Sequence, residues 1–481
     1  MAHAASDPPP EDEARNVVLL CLDTVRKDYF DAFAPRIRER ADVQYAGCRA
    51  ASAWSTPSHA SMFSGRLPHD HGVHTYAPSF TGLDRSATLL GDLPDHRAVG
   101  VSANVYAGSA YGFDGLFDDF ADVTRYRRYP DALDPVAFVD EHAGEGLATY
   151  RALARAVAAH DHPARSLANV AAHRANDLVR HGPLGALPEL FDDGARVAGR
   201  AARSRLDSEP FFLFVNVMDA HEPHRRVRGY DGPGGVPRGW SSESLDPADV
   251  VGDVPGRMTD VRRYRALYGA SIDYLDRWTV DFVDRLQDAT DRETTVVVTA
   301  DHGENLAYTD DERLFGHIGS LSEGLLHVPL CVLNAPENLG TVEGSVSHLD
   351  LGRLLVGLAR GETPDVVRDR AAAELVGRTP SNDALTGERW DRARRCVYED
   401  DRKWVWDDAG TVRAYDLDPA RPCEQTPVEG DATVPDWASE FFTTEPDLAA
   451  FRERARARAD ERDADPLDAD VHRRLADLGY R

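Results

Sequence analysis

Four residues, far apart in the chain, have the right chemistry to act together. Asp23 follows the apolar run Asn16–Leu22 (NVVLLCL), and Asp301-His302 follows Thr294–Thr299 (TTVVVT) after one alanine. Ser55 lies in AWSTPSHASMFSG, two residues before Pro57. Two carboxylates, an imidazole and a hydroxyl form a donor set that suits a divalent cation, whether Ca, Mg, Mn or Zn. Such an ion would lower the Ser55 pKa and polarise a non-bridging oxygen of a phosphate or sulfate ester. Asp219 and His221 follow a third apolar run, Phe211–Met218, and could complete a second metal site or hold a leaving group. His59, His71 and His317 could reach the same crevice. Each residue also has a plainer reading: Ser55 as an N-cap, Asp23 as a solvated carboxylate, Asp301-His302-Gly303 as a turn. His59, four residues after Ser55, is either a helix-surface group or an anion contact.

The elements that must carry these residues are short. Continuous apolar runs of six to eight residues read as strands buried on both faces of a parallel sheet. The polar residues fall at their carboxyl ends, where open α/β sheets bind ligands. Pro57 suits the first turn of a helix, which places Ser55 at the positive end of the helix dipole and starts an amphipathic segment ending at Gly65. Ala98–Ala103 reads as another strand, ending at Asn104, and His327–Leu333 as one more. Residues 125–205, rich in Ala and Arg, read as a helical insertion or lid, and 225–260 as loop. Tyr264–Leu286 has helical periodicity. From about 390 the pattern alternates as in a small antiparallel sheet, followed by a charged helical tail over 446–479. The expected organisation is a polar leader (1–14), an α/β catalytic domain (15–385) and a C-terminal sheet with tail (386–481).

Composition narrows the function classes. The chain has 481 residues and net charge −27, and lysine occurs only at 27 and 403. An acidic, arginine-over-lysine surface fits a halophilic protein of a salt-rich cytoplasm, the haloarchaeal type, and argues against nucleic-acid binding. The five cysteines are scattered and odd in number, so neither a disulfide framework nor a zinc finger is indicated. No apolar run approaches a membrane span, and the start of the chain is no signal peptide. The expected location is therefore cytoplasmic.

Taken together, NVVLLCLDTVRKD, WSTPSHASMFSGRLPHDHGV, FLFVNVMDAHEPH, YGASIDYLDRW and VVVTADHGENL…GHIGSLSEGLLHVPL resemble the successive blocks of the sulfatase family in the alkaline phosphatase superfamily. The resemblance covers roughly 15–335 apart from the insertion. It implies a doubly wound α/β sheet with helices on both faces, with Asp23, Asp301 and His302 as metal ligands. It places Ser55 at the nucleophile position, which also touches the metal, and His221 and His317 near the substrate anion or leaving group. Three departures stand out. His59 occupies the place of the arginine in the signal that matures the nucleophile to formylglycine. Thr24 replaces a second aspartate, and His302 an asparagine. Ser55 could therefore act unmodified on phosphorus, or as formylglycine. The expectation is a metal-dependent hydrolase or transferase of sulfate or phosphate esters on a small molecule, glycan or lipid headgroup. The alternative is a non-catalytic relative that binds such a group. Sulfate versus phosphate, hydrolysis versus transfer, and oligomeric state stay open.

Overall fold

The computed structural model describes residues 14–461 except 125–127, 130, 143–146, 181–186, 208–209, 231–233, 318 and 379–386. Most of the leader and the end of the charged tail lie outside the described residues.

Eight strands form the main sheet: β1 (Asn16–Leu22), β2 (Val43–Arg49), β3 (Arg97–Ser102), β4 (Asp119–Asp122), β5 (Phe211–Val217), β6 (Thr294–Thr299), β7 (Leu330–Leu333) and β8 (Gly340–Ser347). Their spatial order is β4-β3-β5-β1-β6-β7-β2-β8. All neighbours are parallel except β7, which runs against both β6 and β2. The reversal follows from the connection. The chain leaves β6 at its carboxyl end, loops over that end, and re-enters the sheet there, so the next strand must run the opposite way. The whole 300–329 segment thus stays at the end where polar residues collect. Every residue of β1, β5 and β6 is buried, as their unbroken apolar runs require.

Helices pack in two groups. Ser55–Ser64 lies against Leu351–Ala359, while Val254–Gln287 packs with Lys27–Phe33, Pro35–Arg40 and Ala195–Arg203. The long helix begins ten residues before the expected Tyr264. Asp253 caps its first turn by accepting the Gly256 N–H at 3.0 Å, a signal hidden among the Gly/Pro/Asp residues that read as loop. Among its described residues the insertion is mainly helical, with helices at Pro135–Glu141, Leu147–Ala159 and Pro163–Arg180, and non-helical segments at 128–134 and 187–194. Its last helix, Ala195–Arg203, packs on β3 and β5 and belongs to the main layers.

The small antiparallel sheet has five strands: β9 (Arg370–Val376), β10 (Ala393–Glu399), β11 (Arg402–Asp407), β12 (Val412–Leu417) and β13 (Gln425–Pro427). It starts earlier than the expected boundary at 385, because RAAAELV is alanine-rich and shows no strand alternation. Its junction with the main domain is ionic and buried. Glu323 takes Lys403 Nζ at 2.9 Å, Arg49 Nη2 at 3.0 Å and the Tyr398 hydroxyl at 2.7 Å. Burial would raise the Glu323 pKa, but Lys403 and Arg49 override it and hold the group well below its ordinary value. The five cysteines are all free and buried.

Candidate active site

Adjacent strands β3, β5, β1 and β6 end side by side, and each delivers polar side chains. Register places Asn216 opposite both Cys21 and Ser102. Asn104, Asn216, Asp23 and Asp301 thereby reach one buried centre.

Asp23, Asp301 and His302 each offer a ligand atom within 4.8 Å of the others. Asp23 Oδ1 and Asp301 Oδ2 are shut away from solvent and have no hydrogen-bond partner. Two such carboxylate oxygens beside an imidazole nitrogen are what a bound cation would satisfy, so the residues fit the metal implied by the donor set. The remaining oxygens are committed. Asp301 Oδ1 accepts the amides of Thr24 at 3.2 Å and His302 at 3.0 Å. Asp23 Oδ2 accepts Asn104 Nδ2 at 2.7 Å and Asn216 Nδ2 at 3.4 Å. Burial, and then the charge of Asp301, push the Asp23 pKa well up, while the two asparagines pull it back. Burial also acts to raise Asp301, but His302, His59, Ser55 and the Thr24 amide outweigh it and leave its pKa lowered. One carboxyl of the pair thus gives up its charge more readily than the other.

The tautomer of His302 follows from its contacts. Nδ1 is 2.8 Å from the Gly303 carbonyl, which can only accept, so Nδ1 carries the proton. Nε2 then presents its lone pair toward Ser55 Oγ, at 3.2 Å. Asn104 Nδ2 also donates to Ser55 Oγ at 3.1 Å. Ser55 is the first residue of its helix, which has no side-chain cap, and Gly65 ends it in the left-handed region at φ 66°. The helix is not amphipathic as expected: Ser55 through Phe63 are all buried. Its hydroxyls make this possible by bonding internally, Ser58 Oγ to the Asp301 carbonyl at 2.6 Å and Ser61 Oγ with His71 Nε2 at 3.0 Å.

Thr24 turns the chain after β1 with φ 61°, unusual for a β-branched residue. Its Oγ1 donates toward the Asp23 and Ala220 carbonyls, and the Tyr268 hydroxyl donates to the Thr24 carbonyl at 2.6 Å. Packing from the long helix thus fixes the strained turn that aims Asp23.

The other expected residues divide. His317 comes to the site, its ring centroid 5.0 Å from that of His302 and 5.3 Å from that of His221. His317 Nδ1 is 3.5 Å from Glu304 Oε1, and His221 Nδ1 donates to the Glu222 carbonyl at 2.7 Å. Burial lowers both imidazoles, His221 further because His317 faces it. His59 lies in the interior with both ring nitrogens used. Nδ1 donates to the Ser55 carbonyl at 2.7 Å, and Nε2 accepts Asn216 Nδ2 at 3.2 Å. Asp219 faces away from the centre. It accepts the amides of Asp193 and Ala195 and the Tyr230 hydroxyl, and so caps the helix Ala195–Arg203. His71 is likewise turned to Ser61 and the Val73 amide rather than the centre.

Sequence reading passed over Asn104, Asn216, Glu222 and Glu304. Asn104 follows an apolar run, the signal that marked Asp23, and Asn216 is the one polar residue inside another, so both could have been found. Burial raises Glu222 to about 7, with the charge of Glu304 adding to it. Glu304 rises to about 8 by burial against the pull of His302 and Arg26.

A family model described as Sulfatase matches residues 15–361. No curated protein sequence matches the chain. Among solved structures, the phosphonate monoester hydrolase of Agrobacterium radiobacter superposes with TM-score 0.57 at 17% identity, covering 92% of this chain and 96% of that one. The phosphonate monoester hydrolase from Silicibacter pomeroyi gives 0.55 at 15% identity, covering 92% and 96%. A protein solved with its substrate D-glucosamine-2-N,6-O-disulfate gives 0.55 at 14% identity, covering 95% and 100%. At such identities these likenesses speak for the fold. It is the family match, across most of the sequence and through every strand end that builds the centre, that makes this chain a member of the sulfatase family.

Proposed function

We propose that this protein hydrolyses sulfate or phosphate esters of a small molecule or glycan, with Ser55 as the nucleophile. The observation that carries the reading is the pair of buried, unpartnered oxygens, Asp23 Oδ1 and Asp301 Oδ2, beside the hydroxyl of Ser55 and the lone pair of His302. The structural neighbours described as phosphonate monoester hydrolases, and the one solved with a disulfated glucosamine, support this substrate range.

Asp23, Asp301 and His302 would hold a divalent cation. When bound, it would supply charge neutralisation to the ester's non-bridging oxygens and acidify the serine hydroxyl. Asn104 fixes both Asp23 and Ser55 through one amide group. Ser55 Oγ, its acidified hydroxyl having released its proton to solvent, attacks sulfur or phosphorus, and the bond to the leaving oxygen breaks as the bond to Oγ forms. His317, whose Nδ1 faces Glu304 Oε1 at 3.5 Å, or its neighbour His221, gives a proton to that oxygen. Water then attacks the serine ester and returns the hydroxyl. His59 takes no part in proton transfer. It ties the Ser55 carbonyl to Asn216 and positions the nucleophile.

The test is turnover of 4-nitrophenyl phosphate, 4-nitrophenyl sulfate and a phenylphosphonate ester with Mn, Zn, Mg or Ca supplied. At least one should turn over, and Ser55→Ala should lower the rate by about 10³-fold or more with an unchanged circular dichroism spectrum. Full activity in that variant, or binding of all three without turnover under any metal, overturns the proposal.

A further inference from the structure

The helices Leu147–Ala159 and Pro163–Arg180 form a hairpin that packs with Pro135–Glu141. This hairpin hangs from the end of the main sheet that carries Ser55. The chain leaves β4 at its carboxyl end, where the Val123 amide donates to the Ser102 carbonyl at 2.8 Å. It returns at Asp193 and Ala195, whose amides donate to Asp219 beyond the carboxyl end of β5.

The second helix of the hairpin is turned inside out. Ala164, Leu167, Ala171 and Leu178 recur at helical spacing and all lie exposed, Leu167 by 60% and Leu178 by 48%. Its buried side, besides Val179, carries Ser166, Asn169 and Asn176. These polar groups hold the chain beneath. Ser166 Oγ accepts the Leu133 amide at 3.1 Å, Asn169 Nδ2 donates to the Tyr129 and Leu133 carbonyls at 3.1 Å, and Asn176 Oδ1 accepts the Leu190 amide at 3.3 Å. A helix on a protein surface ordinarily shows such groups to water and buries its leucines. On the first helix Tyr150 is 52% exposed, and Arg174 lies over its ring, 5.0 Å from the centroid. Arg151 and Arg155, one turn apart, are exposed on the same helix.

Exposed leucines and a tyrosine among arginines are the make-up of a helix that lies in a lipid interface. Charge favours the same occupant. From 147 to 180 the chain has five arginines against two aspartates, a net charge of +3, whereas the whole chain carries −27. An anionic bilayer attracts this hairpin and repels the protein as a whole, which sets the orientation. A second copy fits less well. It brings another −27, and one helix of 18 residues, about 27 Å long, presents too little area for the roughly 1,200 Å² that stable association needs. We propose that the hairpin docks the protein on the surface of an anionic phospholipid bilayer. Its helices lie along the surface, since no helix among the described residues is long and apolar enough to cross a membrane. Docking there brings the Ser55 end of the sheet toward the lipid. The inference stands independently of the chemistry proposed for Ser55.

The test is co-sedimentation of the full chain with vesicles of phosphatidylcholine alone, or with about one-third phosphatidylglycerol, at about 0.15 M salt. The anionic vesicles should bind at least about fivefold more protein. Leu167→Ser with Leu178→Ser, which leaves the charge untouched, should lower that binding about tenfold. Arg151→Glu with Arg155→Glu should lower it by about tenfold or more. Both pairs are exposed and lie on separate helices, so one keeps the test available if the circular dichroism spectrum shows that the other has not folded. Equal binding to the two kinds of vesicle, or binding that a folded pair leaves unchanged, overturns the proposal. A dimer in sedimentation velocity that the leucine pair breaks, with no vesicle binding, also overturns it and assigns the face to a second copy.

Discussion

Replacing Glu304 with glutamine should make the metal-free protein more tolerant of alkali. Glu304 is fully buried, with Oε2 3.5 Å from the Tyr264 hydroxyl and Oε1 3.5 Å from His317 Nδ1. Its pKa rises from 4.5 to about 8. At about 1.4 kcal/mol per pH unit, ionising it in the folded state costs on the order of 5 kcal/mol relative to the unfolded chain. The effective dielectric of a buried site reduces this, and we expect about 2–3 kcal/mol. The sign follows from a folded pKa above the unfolded one. The contribution to stability is complete below pH 4.5 and is lost as pH climbs through about 8. Urea unfolding in chelator at about pH 5 and about pH 9 would measure it for wild type and Glu304→Gln. Asp23 and Glu222 are present in both proteins, and because the Glu304 charge helps raise each of them, their relief in the variant adds to the same difference. The wild type should lose about 2–3 kcal/mol more than the variant between the two pH values. Equal losses would refute the view that Glu304 is held protonated by burial.

Four further outcomes follow from the geometry. Asp23→Asn should weaken cation binding, followed by calorimetry, by about tenfold or more, because one of the two unpartnered oxygens loses its charge. Asn104→Ala should lower both cation affinity and kcat about ten- to a hundredfold, because one amide orients both Asp23 and Ser55. The mass of the Ser55 peptide should be that of unmodified serine, since His59, bound at both nitrogens, stands in place of the maturation arginine; a mass lower by two hydrogens would mean formylglycine. Thr24→Val keeps the shape but removes the hydroxyl that holds the turn, and should cost about 1–3 kcal/mol in urea unfolding.

The strands at the centre of the sheet were legible because burial on both faces leaves no room for polar residues. Asn16–Leu22, Phe211–Val217 and Thr294–Thr299 could hardly be read otherwise. Toward the edges the signal fades. β8 reads GTVEGSVS and is exposed over much of its length, so no apolar run marks it. Asp23, Asp301 and His302 were visible as polar interruptions at strand ends, and the structure brings them together with Ser55. The fate of His59 was not visible, because it depends on Asn216, a contact set by the packing of the Ser55 helix on β5. Glu304 was hidden for a similar reason. Its burial is set by Arg26 and Tyr264, far away in sequence.

The lysine economy of the chain has a practical side. Only two ε-amines exist, and Lys27 keeps 14% of its side chain in solvent where Lys403 keeps none. Lys27 is paired with Asp31 near the surface, whereas Lys403 is wholly enclosed at the Glu323 junction. An amine-reactive label should therefore mark Lys27 in the intact protein and reach Lys403 only when the small sheet swings free. Peptide mapping after brief acylation would then report detachment of that sheet directly, with no engineered tag.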